Sequence, residues 1–293
     1  MNKRIISSIL TNKFRSFLNS IKDEKVKKLV DENSIITGGA IASLLLKEEV
    51  NDYDIYFTNL ETTEAVARYY VDKFNINHVG KKVIKPEVYL DEDRVRIKIQ
   101  SIGYTSENVE DNEIQNILEE GDDLPFKVEK DDQKAKYRPI FLTDNAITLS
   151  DDIQIIVRFY GSVKEIHENY DYVHCINYWE SANKHLTLKK AALESLLNKE
   201  LYYQGSLYPL CSLIRMRKFI KRGWHINAGQ ILKMAWQVSD LNLRNMKVLE
   251  DQLVGVDTAY FIQLIDQIKR DLEANPKMDV SMPYIVSLID KIF

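Results

Sequence analysis

The stretch that most constrains this chain is Ile35-Ile36-Thr37-Gly38-Gly39-Ala40-Ile41-Ala42-Ser43-Leu44-Leu45-Leu46, followed by Asn51-Asp52-Tyr53-Asp54-Ile55-Tyr56-Phe57. It reads as a short apolar entry, a glycine pair, one or two turns of apolar helix, a polar turn and a strand. A glycine pair lets backbone N–H groups approach an anion, and the following helix adds its positive N-terminal end. Strand alternation points Asp52 and Asp54 to the same side, with Tyr56 beyond them. Two adjacent carboxylates repel unless a cation sits between them, and oxygen donors of this kind suit magnesium. The plainer reading of the same residues is a strand-to-helix turn followed by an exposed strand edge.

Glycine pair, leucine-rich helix and Asp52-x-Asp54 strand together resemble the signature of the polymerase-β-like nucleotidyltransferase superfamily. Within it the chain is most similar to class II tRNA nucleotidyltransferases and bacterial poly(A) polymerases. The strand Asp52 to Phe57 and the later Tyr170-Asp171-Tyr172 also resemble segments of bacteriophage proteins. The resemblance runs over about residues 34–225 and is firmest at 36–57. It implies a two-ion magnesium site and a nucleoside triphosphate as substrate. Asp52 and Asp54 would supply two carboxylates, with Asp171 as the third. Gly38 and Gly39 would hold the triphosphate through their backbone N–H groups.

The 293 residues are enough for two domains. No run of about 18 apolar residues occurs, so no membrane span is expected. The basic, briefly apolar start at Met1–Leu10 continues as an amphipathic helix and is not read as a cleaved signal. Cys175 and Cys211, the only cysteines, fit a reducing cytoplasm and argue against zinc or a disulfide framework. For a phage-encoded chain that would be the host cytoplasm. Residues 1–180 hold 24 Lys/Arg against 33 Asp/Glu, and 181–293 hold 16 against 11. Any RNA contact should therefore be local and basic.

Along the chain, Ile5, Ile6, Ile9, Leu10, Phe14, Phe17, Leu18 and Ile21 begin one or two amphipathic helices over 2–31. A helix is expected from Thr62 or Thr63 to Asn75, and a hairpin over 83–102 with Asp91-Glu92-Asp93 as its turn. Residues 103–136 are acid-rich and aperiodic, an exposed insertion or flap. Strands follow at Pro139–Leu142, Ala146–Leu149 and Ile153–Phe159, the last buried on both faces. Arg158 near its end could reach a triphosphate or pair with a core carboxylate.

A short helix from Ser162 to His167 leads to a strand through Asp171, whose carboxylate among aromatic neighbours calls for a partner or metal. Asp171 also aligns loosely with the aspartate of the family's arginine–arginine–aspartate motif, where Asn169 and Tyr170 replace the arginines. Asp144, Asp151 and Asp152 are rivals in turn-like contexts, and His174 reads as a buried structural histidine. From Tyr178 onward the pattern is helical: 188–203, 210–222, 228–241, 248–254, 257–273 and a short helix after Pro283. Ile214-Arg215-Met216-Arg217-Lys218-Phe219 resembles a nucleotide-contacting helix of the class II enzymes, making Arg215 and Lys218 nucleotide-binding candidates with Arg158. The family's acid before the proline is replaced by Leu207-Tyr208. The basic, aromatic run over 215–225 could bind RNA backbone or triphosphate, or be a solvated helix face.

The expected fold is α+β: a nucleotidyltransferase-type mixed sheet with flanking helices over 1–180, then an all-helical domain over 181–293. The expected activity is magnesium-dependent transfer of a nucleoside monophosphate to an acceptor hydroxyl, an RNA 3′ end such as tRNA. The alternatives are a degenerate binding or virion-associated protein, and a toxin-like enzyme that nucleotidylates protein or tRNA.

Overall fold

A computed structural model describes residues 2–77, 85–98, 104–105, 135–253 and 268, 270–275, 278, 281, 283–284 and 286–287. Most of the acid-rich 103–136 stretch and of the helices expected after 254 lies outside these residues. The chain divides into two compact units, with the boundary between Gln204 and Gly205.

The first unit opens with α1 (Lys3–Ser20) and α2 (Glu24–Asn33), as the apolar spacing requires. The Asn2 side chain caps α1 by accepting from the Arg4 amide at 2.9 Å, and the Asp23 carboxylate caps α2. Ile6, Leu10, Phe14 and Phe17 recur at helical spacing and form the buried stripe of α1. Phe14 packs against Trp179 with ring centroids 5.1 Å apart, and Phe17 stacks on Tyr70 at 6.4 Å. Each such side chain contributes about 1.5–3 kcal/mol through burial, so α1 is part of the core.

The signature stretch folds as strand, turn, helix and strand: β1 (Ser34–Thr37), α3 (Gly39–Leu46) and β2 (Tyr53–Phe57). Lys47, in the left-handed conformation, closes α3 and donates its amide to the Ser43 and Leu44 carbonyls. After α4 (Leu60–Asn77), the strands β3 (Glu87–Asp91) and β4 (Arg94–Lys98) form an antiparallel hairpin around Glu92 and Asp93. Glu92 takes positive φ, as a two-residue hairpin turn demands.

The main sheet adds β5 (Tyr104–Thr105), β6 (Pro139–Leu142), β7 (Ala146–Leu149), β8 (Ile153–Tyr160), β9 (Tyr178–Glu180) and β10 (His185–Thr187). Its order is β10-β9-β1-β2-β8-β7-β6-β5. Among the described residues only the β2–β8 pairing is parallel, which makes the sheet mixed. β8, apolar along most of its length, lies between β2 and β7 with Ile153 to Arg158 mostly buried.

Two segments differ from the sequence reading. The helical pattern expected from Tyr178 is instead the β9–β10 hairpin, whose inward residues Trp179 and Leu186 join the core. Three-residue strands are too short for periodicity to separate from helix. The strand expected through Asp171 is a turn after α5 (Val163–His167), an isolated bridge Tyr172–Tyr203, and a 3-10 turn at Val173–Cys175. That bridge and the β9–β10 pairing keep residues 181–204 with the sheet. The second unit accordingly begins at Gly205, later than the 180/181 division expected from the helical pattern. α6 (Lys190–Asn198) completes the unit.

The second unit contains α7 (Pro209–Lys221), α8 (Ala228–Ser239) and α9 (Met246–Leu253). Pro209 occupies the first turn of α7, where its missing N–H leaves no bond unmade. Gln252 ties α9 to the start of α7: its carbonyl accepts from Cys211 Sγ at 3.0 Å and its side chain donates to the Leu207 carbonyl at 2.9 Å.

Candidate active site

The register of the sheet lines up one polar row on the face turned away from the core. Thr187 pairs with Tyr178, Tyr178 with Thr37, Thr37 with Asp54, Asp54 with Gln154, and Gln154 with Thr148. The alternate positions Leu186, Trp179, Ile36, Ile55, Ile155 and Ile147 belong to the core. Period-two alternation thus puts Asp54 on the polar face at the sheet's centre.

Gly38 sits at the end of β1 with φ 91° and ψ −150°, a conformation reserved for glycine. A Cβ on Gly38 would lie 3.0 Å from Asp54 Oδ2 and 3.4 Å from the Tyr170 hydroxyl oxygen. The glycine, the carboxylate and the phenol therefore converge on one point. Gly39 begins α3, is exposed, and has nothing within 4 Å of the place its Cβ would occupy. The positive end of α3 consequently borders open space beside the Asp54 carboxylate.

The sequence reading gave both glycine amides to a triphosphate. The structure corrects this for Gly38, whose N–H donates to the Cys175 carbonyl at 3.1 Å. Gly39 is the first residue of α3, where the leading amides have no partner within the helix.

α5 lies over the polar row, started by a capping box in which Ser162 and Glu165 satisfy one another's backbone and side-chain groups. At its end His167 Nε2 is 2.8 Å from Thr37 Oγ1. The Thr37 hydroxyl has one proton, and its 2.9 Å contact to the Asn177 carbonyl uses it. Nε2 then carries the imidazole proton and donates to Thr37. Burial first, and then the charge of Lys189, lower the His167 pKa from 6.5 to about 4, so the ring is neutral near pH 7.

The Tyr170 ring stands between His167, 5.0 Å away, and Tyr56, 6.1 Å away. Its hydroxyl is fully buried beside the Tyr56 hydroxyl, with which it hydrogen-bonds, and the Asp54 carboxylate. Burial first, then the neighbouring Tyr56 and Asp54 and the hydrogen bond to Tyr56, push its pKa well up, so it stays protonated.

Asp52 is half-buried immediately before β2. Asp171 is buried just after Tyr170, and its carbonyl accepts from the Gln204 amide at 2.9 Å. Among the described residues no three His, Cys, Asp or Glu side chains group to hold a metal ion. Asp171 follows Tyr170, whose hydroxyl reaches the Gly38–Asp54 junction.

The rival acids have structural partners. Asp151 accepts from the Tyr137 amide, Asp152 pairs with Lys13 at 3.3 Å, and Asp91 pairs with Arg96 at 2.8 Å. Asp144 is raised in pKa by burial and drawn back by Arg96 and Arg158. Arg158, 8 % exposed, thus neighbours a carboxylate of the β6–β7 turn. Arg215 and Lys218 lie on α7 in the other unit. His174 is buried beside Tyr172, their rings 6.0 Å apart. Thr37 and His167 were not anticipated; the threonine next to Gly38 was the available signal.

The model of the Gad2, Gabija anti-defense 2, protein family matches residues 8–199 of this chain. The chain belongs to the Gad2 family. A curated relative, "Gabija anti-defense 2" of Bacillus phage SPbetaL7, is 20 % identical over 260 residues, covering 88 % of this chain and 50 % of the relative. The Gad2-family chain thus spans half the length of that relative. It is also similar to solved CCA-adding enzymes. That of Thermotoga maritima, complexed with tRNA, is 13 % identical with a TM-score of 0.39, covering 92 % of this chain and 57 % of that one. That of Bacillus stearothermophilus, in complex with CTP, is 13 % identical with a TM-score of 0.40, covering 86 % and 51 %. Among the described residues no helix of the Gad2-family chain is long and apolar enough to cross a membrane.

Proposed function

We propose that this Gad2-family chain counters a bacterial defence system as a nucleotidyltransferase, moving a nucleoside monophosphate from a triphosphate to the hydroxyl of an RNA 3′ end. The observation that carries this reading is the Asp54 carboxylate, held on the polar face of the sheet against Gly38 at the mouth of α3. The donor chemistry fits a divalent cation. Magnesium is commonly bound by one or two carboxylates together with substrate phosphates, and Asp52 and Asp54 supply two. A bound ion would offset phosphate charge and lower the pKa of the attacking hydroxyl.

Gly39 and the N-terminus of α3 offer positive potential to phosphate. Thr37 and neutral His167 tie the polar row of the sheet to the end of α5 through their mutual hydrogen bond. The basic residues Arg215, Arg217, Lys218, Lys221 and Arg222 on and just after α7 suit an RNA backbone.

A second reading, inhibition by binding alone, is favoured by one observation: the Gly38 amide is committed to the Cys175 carbonyl. The deciding experiment incubates the protein with magnesium and each α-labelled nucleoside triphosphate, adding total bacterial RNA or lysate protein. Label should appear on RNA 3′ ends and vanish in Asp54→Asn. Label on protein would reassign the acceptor. Anti-defence activity retained in Asp54→Asn, with no nucleotide bound or transferred by the parent chain, would establish the binding reading.

A further inference from the structure

We propose that the outward face of α8 is a docking surface for a protein partner that presents an acidic, amphipathic helix. The inference goes beyond the transfer reading, which uses the charge of α7 and leaves the apolar side of α8 unexplained.

The helical repeat sorts the residues of α8 into two sides. Met234 is buried, and the Gln237 side chain accepts from the Ser206 amide at 3.3 Å. The opposite side carries Ala228, Gly229, Ile231, Leu232, Ala235 and Trp236, all exposed. Trp236 is 67 % exposed and Leu232 61 %, and a Cβ on Gly229 would meet nothing within 4 Å among the described residues. Lys233 is the only charged residue of the helix. Contiguous exposed apolar surface of this kind marks an interaction site.

Charge selects the partner. Residues 205–239 hold six Lys/Arg and no Asp or Glu. A second copy would bring one basic region against another, whereas an acidic partner is drawn to it. Aliphatic Ile231 and Leu232 beside Trp236 offer a nucleobase no ring to stack on, which argues against a single-stranded RNA platform. Ala228, Gly229 and Ala235 add little area for insertion into lipid. They do let a second helix come close, with Leu232 and Trp236 as the large side chains it packs against.

The test uses the full chain and a fluorescein-labelled synthetic helix in which Leu recurs at i, i+3, i+4 and i+7 among Glu and Ala. Fluorescence anisotropy should show saturable binding that weakens as salt is added. Trp236→Ala and Leu232→Glu should each weaken it about tenfold or more. Both side chains are largely exposed, so the variants should melt like the parent. Trp179 and Trp224 are buried, so acrylamide quenching in the parent reads Trp236, which the peptide should protect. Absence of binding, or equal binding by the two variants, would overturn the proposal. So would equal binding of a counterpart with Lys in place of Glu, or of one with its leucines scrambled. Protection of Trp236 by single-stranded RNA or phosphatidylglycerol vesicles, and not by the acidic helix, would overturn it as well. The Asp54→Asn labelling experiment is decided separately from all of these outcomes.

Discussion

The amide of Gly38 donates to the carbonyl oxygen of Cys175 at 3.1 Å, joining the end of β1 to the 3-10 turn that follows Tyr172. Through this bond the glycine that opens the signature becomes a structural link between two distant parts of the chain. Its left-handed backbone turns the chain sharply into α3 while leaving room for Asp54 and Tyr170.

Gly38→Ala should accordingly destabilise the protein. The backbone conformation alone costs about 1–3 kcal/mol for a residue with a side chain, and the added methyl would crowd Asp54 Oδ2 at 3.0 Å. Gly39→Ala faces open space and normal helical backbone, so it should be neutral or stabilising by up to about 1 kcal/mol. Urea denaturation of the two variants beside the parent gives the comparison. Equal effects would mean the two glycines do not divide their roles in this way.

His167 predicts a pH dependence. Its folded pKa, about 4, lies below the ordinary value of 6.5, so between these values the unfolded chain binds the extra proton. Stability attributable to the neutral ring is present above pH 6.5 and falls as pH drops toward 4, levelling off below that. His167→Asn should flatten this part of the profile and also weaken the tie to Thr37. Denaturant midpoints measured from pH 4 to pH 7.5 for both proteins would reveal it, and parallel profiles would remove His167 as the cause.

Much of this fold is written in local pattern, and the site is only partly so. α1, α2, α4 and the β6 to β8 strands carry long or strongly apolar periodicities that match their burial. The β9–β10 hairpin is too short to announce itself, and its identity comes from pairing with β1, residues far earlier in the chain. The placement of Asp54 was legible because strand alternation is a local rule. The fate of Asp171 was not, since it depends on Tyr172 bridging to Tyr203 and on Gln204 holding the turn. For the same reason the Gly38 amide looked available: nothing in residues 35–57 shows that a carbonyl from Cys175 will take it.

Arg158→Met should be more damaging at neutral pH than in acid. Burial already raises the Asp144 carboxyl, and Arg158, with Arg96, restrains that rise. A carboxyl with a raised folded pKa stabilises the fold most when protonated, and that stability is lost as pH climbs through its folded value. Removing Arg158 raises the folded pKa further and enlarges the loss at pH 7, while at pH 3 the acid is neutral and its partner matters less. If the arginine serves the turn rather than nucleotide, Arg158→Met should bind magnesium–ATP like the parent once folded. Denaturation at pH 3 and pH 7, with calorimetry at pH 7, would separate the two roles.

The capping box of α5 offers a final test of how the cleft is positioned. Ser162 accepts from the Glu165 amide, and Glu165 Oε2 accepts from the Ser162 amide at 2.7 Å and hydroxyl at 2.8 Å. α5 has five residues, too few to be helical without such help, and its end carries His167 into contact with Thr37. Ser162→Ala should therefore lower stability by about 1 kcal/mol, while Ser162→Asp, which can still cap, should recover most of it. Because Tyr170 is anchored to the His167 carbonyl, fraying of α5 should reach the cleft. Amide hydrogen exchange over residues 163–170 should quicken in Ser162→Ala and return toward the parent rate in Ser162→Asp. Unchanged exchange in the alanine variant would show that packing of Ile166, not the cap, holds the helix in place.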